Sequence, residues 1–282
     1  MNCTLCPVSC NADREHMLGR CRAGKLKIAK YGLHQFEEPC ISFERGAGTV
    51  FFCGCSLQCR FCQNFELSRN TRGKEITVSE LVSIFHELEE MGAENIDLVS
   101  PSHYTRELIE AFRLYRPNIP VVYNSSGYEK VETLKTIEPF VDVWLPDLKF
   151  FSPKLSERYT GRADYFAYAS EAISFMANKP LRIENGKMLS GTIVRHLILP
   201  LASSDSVELL KFLAPMKDKI YLSLMSQYTP FGDISDLPEL NRRITEREYR
   251  KVLSCALDLG FEHIFTQERA SADETYIPVW DY

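Results

Sequence analysis

Thr49-Val-Phe-Phe52 followed by Cys53-Gly-Cys55-Ser-Leu-Gln-Cys59-Arg-Phe-Cys62-Gln-Asn64 is the stretch on which the reading of this chain turns. A short run of β-branched and aromatic residues predicts a strand. A loop then places Cys55, Cys59 and Cys62 at spacings of three and two residues. Thiolates select zinc, copper(I) or iron–sulfur clusters. A cubane cluster usually takes four cysteines, so three ligands leave one iron open to a small molecule. A three-cysteine zinc site with a remote fourth ligand competes for the same thiols, and chance spacing is the plain alternative.

Outward from that loop, short apolar runs alternate with helical patterns. Strands are expected at Thr49–Phe52, Asn95–Ser100, Pro120–Asn124, Val141–Pro146, Thr192–Leu199 and Ile220–Met225, with a weaker seventh at His263–Thr266. Each is bounded by turn residues. Thr77-Val-Ser-Glu80 predicts a capping box for a helix to about Met91, with Leu81, Ile84, Phe85 and Leu88 on one face. Further helices are expected over Thr105–Arg116, Asp164–Ala177, Ser204–Leu213 and Thr245–Leu259, the last with a second capping box to Glu248. Strand–helix alternation implies parallel strands joined by right-handed crossovers. The fold class expected is α/β: a partial (β/α)6 TIM-like barrel over residues 49–282, preceded by a Cys-rich N-terminal extension over residues 1–48. In such barrels the reactive residues sit at the C-terminal ends of the strands.

The chain has 282 residues and a formal net charge of −5. An acidic balance argues against a nucleic-acid partner. No apolar run reaches the ~20 residues of a membrane span. The first ten residues lack the pattern of a secretory signal. The expected location is therefore cytoplasmic. Ten cysteines in that reducing compartment read as metal or cluster ligands rather than disulfides.

Four of them, Cys3, Cys6, Cys10 and Cys21, lie within nineteen residues punctuated by Pro7 and Gly19. The pattern suits a structural zinc knuckle. The three-residue gap between Cys6 and Cys10 keeps an auxiliary iron–sulfur cluster as its rival, and free buried thiols are the bland alternative. A metal would explain how so core-poor a segment folds. Cys255 falls on the apolar side of the last helix, Cys53 reads as packing, and Cys40 has no evident partner.

Cys55-x3-Cys59-Arg-Phe-Cys62, with Phe61 before the last thiol, resembles the cluster motif of radical S-adenosylmethionine (SAM) enzymes. The wider Phe52–Asn64 segment resembles the pyruvate formate-lyase activating enzyme-like group, closest to its PflX-like branch. Landmarks along nearly the whole chain carry the likeness: His34-Gln-Phe-Glu-Glu38, Val121-Val-Tyr-Asn-Ser-Ser-Gly127, Leu145-Pro-Asp-Leu-Lys149, Val194-Arg-His-Leu-Ile-Leu-Pro200 and Leu224-Met-Ser-Gln-Tyr-Thr-Pro230.

The resemblance implies a [4Fe–4S] cluster on Cys55, Cys59 and Cys62. Its open iron would hold the amino and carboxylate groups of SAM. One electron would then break the C5′–S bond, giving methionine and a hydrogen-abstracting 5′-deoxyadenosyl radical. It implies a SAM-amine contact after the second strand. There this chain has Ser100-Pro-Ser-His103 instead of the family's Gly-Gly-Glu, leaving Ser102 or His103 to accept; His103 as a helix-start residue is the alternative. It implies a monovalent cation between the third and fourth strand ends. There Asn124 replaces an acidic residue opposite Asp147, and a simple Asp147–Lys149 ion pair is the alternative. A guanidinium fork suits the SAM carboxylate. Alternation lets only one of Arg195 and His196 face the barrel interior, and Arg195 is the choice. Gln227 is assigned to the adenosine, with Met225 and Tyr228 as alternatives. The expected electron donor is a low-potential flavodoxin or ferredoxin. The ferredoxin-like insert of some activating enzymes is missing, since only fourteen residues separate Cys62 from Thr77.

Three functions remain in competition at this stage. One is radical generation on a protein partner such as a glycyl radical enzyme. The second is radical modification of a peptide, RNA or small metabolite. The third is a non-catalytic zinc or iron–sulfur binding protein.

Overall fold

The computed structural model describes residues 2–69 and 72–266. After an irregular N-terminal segment the elements run β1 (Lys27–His34), α1 (Pro39–Ser42), β2 (Ala47–Phe52), α2 (Phe65–Ser68), β3 (Lys74–Glu75) and α3 (Val78–Glu90). Then follow β4 (Ile96–Val99), α4 (Thr105–Leu114), β5 (Val121–Ser125), α5 (Val131–Ile137), β6 (Val143–Pro146), α6 (Pro153–Thr160) and α7 (Tyr165–Met176). The last are β7 (Arg182–Glu184), β8 (Lys187–Leu197), α8 (Ser203–Leu213), β9 (Tyr221–Met225), α9 (Glu246–Asp258) and β10 (Ile264–Thr266).

One sheet carries the molecule, in the order β10-β9-β8-β6-β5-β4-β2-β1-β3. The seven strands from β2 to β10 along that path pair in parallel. The architecture is thus α/β with a mostly parallel sheet, as expected of a partial TIM-like barrel. The sheet curves: Thr266 at one end and His34, from β1 near the other, line the same cavity. Both faces are covered, so β2, β5 and β6 are buried along their whole length.

Local signals explain the helices. Thr77 and Thr245 each close a reciprocal capping box, with Glu80 and Glu248. Leu81, Ile84, Phe85 and Leu88 are the buried face of α3. α6 has an Ser152 cap, Pro153 at its first position and left-handed Gly161 at its end.

The structure adds elements that the periodicity did not announce. β1 pairs antiparallel with β2 from Ile28↔Phe52 to His34↔Ala47. β7 and β8 form a hairpin across Asn185-Gly186, both with positive φ, the pairing favoured in two-residue turns. That hairpin starts β8 at Lys187, five residues before the run at Thr192. No helix among the described residues is long and apolar enough to cross a membrane.

Candidate active site

A cavity of about 470 Å³ opens at the C-terminal ends of the parallel strands, within the size range of cofactor pockets. The Cys53–Asn64 loop forms one wall. Gly54 starts the loop with φ +94°, and a Cβ there would stand 2.6 Å from the Cys21 carbonyl oxygen. Only glycine fits such an approach. Cys55, Cys59 and Cys62 all line the cavity, and so does Phe61. The Phe61 ring packs edge-on against Phe150, Tyr159 and Tyr228, which anchors the loop between Cys59 and Cys62.

Opposite the thiols, side chains of four neighbouring strand ends form a continuous polar chain. Asn124 Nδ2 donates to Asp97 Oδ2 at 3.3 Å. Arg195 donates from Nη2 to Asn124 Oδ1 at 2.6 Å, from Nε to Asp147 Oδ1 at 2.9 Å and from Nη1 to Glu37 Oε2 at 3.2 Å. Lys149 Nζ donates to Asp147 Oδ2 at 2.6 Å. Burial opposes ionisation of Asp147, but Arg195 and Lys149 outweigh it and hold the carboxyl below its usual range. Asp97 goes the other way: burial first, then the neighbouring Glu37, push it well up. Its Oδ1 is a buried oxygen without a hydrogen-bond partner among the described residues.

The expected site residues are thus only partly assembled. Asn124, Asp147, Lys149, Arg195 and Gln227 all line the cavity, as does Met225. Tyr228 turns away and donates to the Leu240 carbonyl at 2.8 Å. His196 points outward, between the Leu148 carbonyl and Ser206 Oγ. Two expectations need correction. Ser102 and His103 lie behind the cavity wall: Ser102 Oγ donates to Glu129, and His103 Nε2 meets the Cys53 carbonyl at 2.8 Å. Ser100, at φ +58°, and Ser125 stand at the wall in their place. The monovalent cation is the second. The Asn124 and Asp147 oxygens both accept from Arg195, so a guanidinium already occupies the position between them. The same engagement means that the Arg195 fork is satisfied by the chain's own acceptors.

Glu37, Glu38 and Asp97 were missed as site residues. Glu37 and Glu38 line the cavity just after β1; their signal was two adjacent acids before Pro39, but their placement needs the antiparallel pairing of β1. Burial raises Glu38, with Arg195 opposing. Asp97 could have been found as an acid inside the buried run Ile96–Val99.

The donors fit a cluster with a bound amino acid-like ligand. Three thiols share a cavity whose remaining walls offer carboxylates from Glu37, Glu38 and Asp147 and the ammonium of Lys149. Burial raises the Cys59 thiol, and raises Cys62 to about 11, with Lys149 opposing in both; ligation must displace their protons. Among the described residues, no three His, Cys, Asp or Glu side chains stand ready as a single-ion site. A cubane takes each thiolate at a separate iron corner, so its ligands need not converge as those of one ion do. Of the other cysteines, Cys53 and Cys40 are buried, and Cys255 packs against the core near α8.

An uncharacterized protein of Methanocaldococcus jannaschii is 28% identical over 274 residues, covering 94% of this chain and 77% of its own. Among solved structures, Streptococcus suis SuiB is similar at 16% identity and a TM-score of 0.47 over 77% of this chain; the chain spans about half of SuiB, 47% of its length. Methylornithine synthase (PylB) is similar at 15% identity and a TM-score of 0.49, over 75% of this chain and 68% of that one. The family model for the radical SAM superfamily matches residues 49–213, more than half of the sequence and the whole span from the cluster loop to α8. The chain therefore belongs to the radical SAM superfamily.

Proposed function

We propose that this protein cleaves SAM reductively at a [4Fe–4S] cluster held by Cys55, Cys59 and Cys62, and uses the resulting radical to abstract hydrogen from a partner protein. The observation that carries the reading is the shared cavity: Cys55, Cys59 and Cys62 line it together with the hydrogen-bonded Asn124, Arg195, Asp147 and Lys149. When bound, the cluster supplies the electron that splits SAM into methionine and a 5′-deoxyadenosyl radical.

The chain's own residues supply position and dryness. Lys149 neutralises Asp147 and sits close enough to Cys59 and Cys62 to favour their thiolates. Glu38, on the cavity wall, offers an acceptor for a ligand ammonium. Arg195 holds Asn124 and Asp147 rigid rather than gripping the cofactor with a free fork. Phe61 and its aromatic neighbours exclude water from the thiol wall.

Installation of a glycyl radical on a partner enzyme is the finer part of this reading. It rests on the resemblance to the pyruvate formate-lyase activating enzyme-like group, together with an open cavity mouth where Phe36 is largely exposed. A low-potential flavodoxin or ferredoxin is the proposed donor. The test is anaerobic reconstitution with iron, sulfide, SAM and dithionite. We expect 5′-deoxyadenosine from the intact chain and none from Cys59→Ala. Deuterium carried from a labelled partner glycine into 5′-deoxyadenosine would identify the substrate. Product formation by Cys59→Ala equal to that of the intact chain refutes the ligand assignment.

A further inference from the structure

We propose that Cys3, Cys6, Cys10 and Cys21 form a second metal centre, a four-thiolate site for a thiophilic metal, which clamps the N-terminal segment onto the wall of the active-site loop. The proposal does not depend on SAM cleavage.

The segment lacks the means to fold by burial. Residues 2–26 contain no helix or strand beyond one isolated bridge, Asn2↔Asp13. Its buried residues are mainly thiols and small or single side chains: Cys3, Cys6, Ala12, Cys21, Ala23 and Leu26. So little apolar area cannot offset the entropy of ordering it. Yet its turns are well formed. Cys3 N–H donates to the Ala12 carbonyl and Asn11 N–H to the Cys3 carbonyl, both at 2.9–3.0 Å. Ser9, Asn11 and Arg22 hold positive φ. Non-glycine residues at positive φ persist only where their surroundings hold them.

The thiols are gathered. A Cβ on Gly19 would lie 3.3 Å from Cys21 Sγ and 3.5 Å from Cys10 Sγ. Cys3, Cys6 and Cys21 are each within electrostatic reach of the others. Three are buried, and Cys10 is exposed. They do not converge as the ligands of one ion do, a spread that a cubane, which takes each thiolate at a separate iron, accommodates. Ligation releases up to four thiol protons, one for each new metal–sulfur bond.

Two surroundings support a charged centre here. Lys130 Nζ donates to the Thr4 carbonyl and to Ser9 Oγ, and Arg14 Nη2 donates to the Gly24 carbonyl at 2.7 Å, just past Cys21 in the chain. Cations beside the thiols compensate the negative charge of four thiolates. The segment is hydrogen-bonded directly to the active-site loop: Cys55 N–H donates to the Cys21 carbonyl at 3.1 Å, and Gln58 Nε2 to the Arg20 carbonyl at 2.6 Å. A metal on Cys21 therefore fixes the backbone that presents Cys55.

The test uses the full chain with Cys55, Cys59 and Cys62 all changed to Ser, purified anaerobically and analysed for zinc, iron and sulfide. We expect about one zinc per chain, or about four irons with four sulfides; the first identifies a structural ion and the second a cubane. Adding Cys6→Ser and Cys21→Ser should remove it. A second measurement needs no variant. In the protein as purified, alkylation of exposed Cys10 by iodoacetamide, read by mass spectrometry, should be at least about tenfold slower than after chelation, because a ligated thiolate is a poor nucleophile. The proposal is overturned by a metal-free triple variant, by metal that persists without Cys6 and Cys21, or by Cys10 that reacts equally fast before and after chelation.

Discussion

Arg195→Met should destabilise the protein by about 3–5 kcal/mol near pH 8, the range for breaking a buried ion pair by removing one partner. The guanidinium serves Asp147, Glu37 and Asn124 at 2.6–3.2 Å, and the side chains of Arg195, Glu37 and Asp147 are 15%, 11% and 16% exposed. Little water can replace what is lost. At roughly 2–4 °C per kcal/mol for chains of this order of size, the midpoint should fall by roughly 6–20 °C. The sign of the pH dependence follows. Arg195 opposes the upward push of burial on Glu38 and Asp97. Without it their folded-state pKa values rise further above the unfolded ones. A group raised in this way contributes stability below its unfolded pKa and loses it as pH climbs through the folded value. The deficit should therefore shrink toward pH 5 and grow toward pH 8. Thermal unfolding of intact and variant chains, both metal-free, measures this by circular dichroism. A deficit under about 1 kcal/mol, or one equal at both pH values, refutes the view that Arg195 is the keystone of the polar chain.

The buried imidazoles set a second pH window. Burial lowers His103 and His196 to about 4 from an ordinary 6.5. The unfolded chain then binds more protons between those values, so stability should fall as pH drops from about 6.5 to about 4; His196→Gln should flatten that slope in a melting series. Gly127→Ala should cost roughly 2 kcal/mol or more, since φ is +73° and the new Cβ would sit 2.3 Å from the Asp147 carbonyl oxygen; unchanged melting would contradict the geometry. Thr245→Ala should cost about 1 kcal/mol by opening the α9 capping box, read as a shifted urea midpoint. Because Arg195 occupies the place between Asn124 and Asp147, exchange of sodium or potassium for choline should leave 5′-deoxyadenosine formation within about twofold; strict alkali dependence would show that the guanidinium does not stand in for a cation.

Much of the barrel was legible because its information is local. A buried parallel strand is a short apolar run, and all seven expected runs are strands. Thr77 and Thr245 announced their helices through residues three positions apart. The Asn185-Gly186 turn was equally local, but its hairpin lay hidden in a polar stretch. α5 escaped because Val131–Ile137 is short and carries two threonines and a valine, weak helix formers. β1 escaped because its residues are mostly half buried or exposed and show no clean alternation of buried and exposed positions.

The amino-acid order alone determined the thiol triplet, the strand that presents it and the family, since each depends on spacings within a dozen residues or on a repeated pattern. What Arg195 does was decided only in three dimensions. Its partners Glu37, Asn124 and Asp147 lie 158, 71 and 48 positions away, and nothing in a linear pattern says which acceptors will meet one guanidinium. The same holds for Ser102 and His103, taken by Glu129 and the Cys53 carbonyl, and for Cys21 pressed against Cys55. Chain spacing selects the chemistry of the donors; packing selects which donors remain available, because most buried polar groups take a hydrogen-bond partner and only the fold brings those partners within reach.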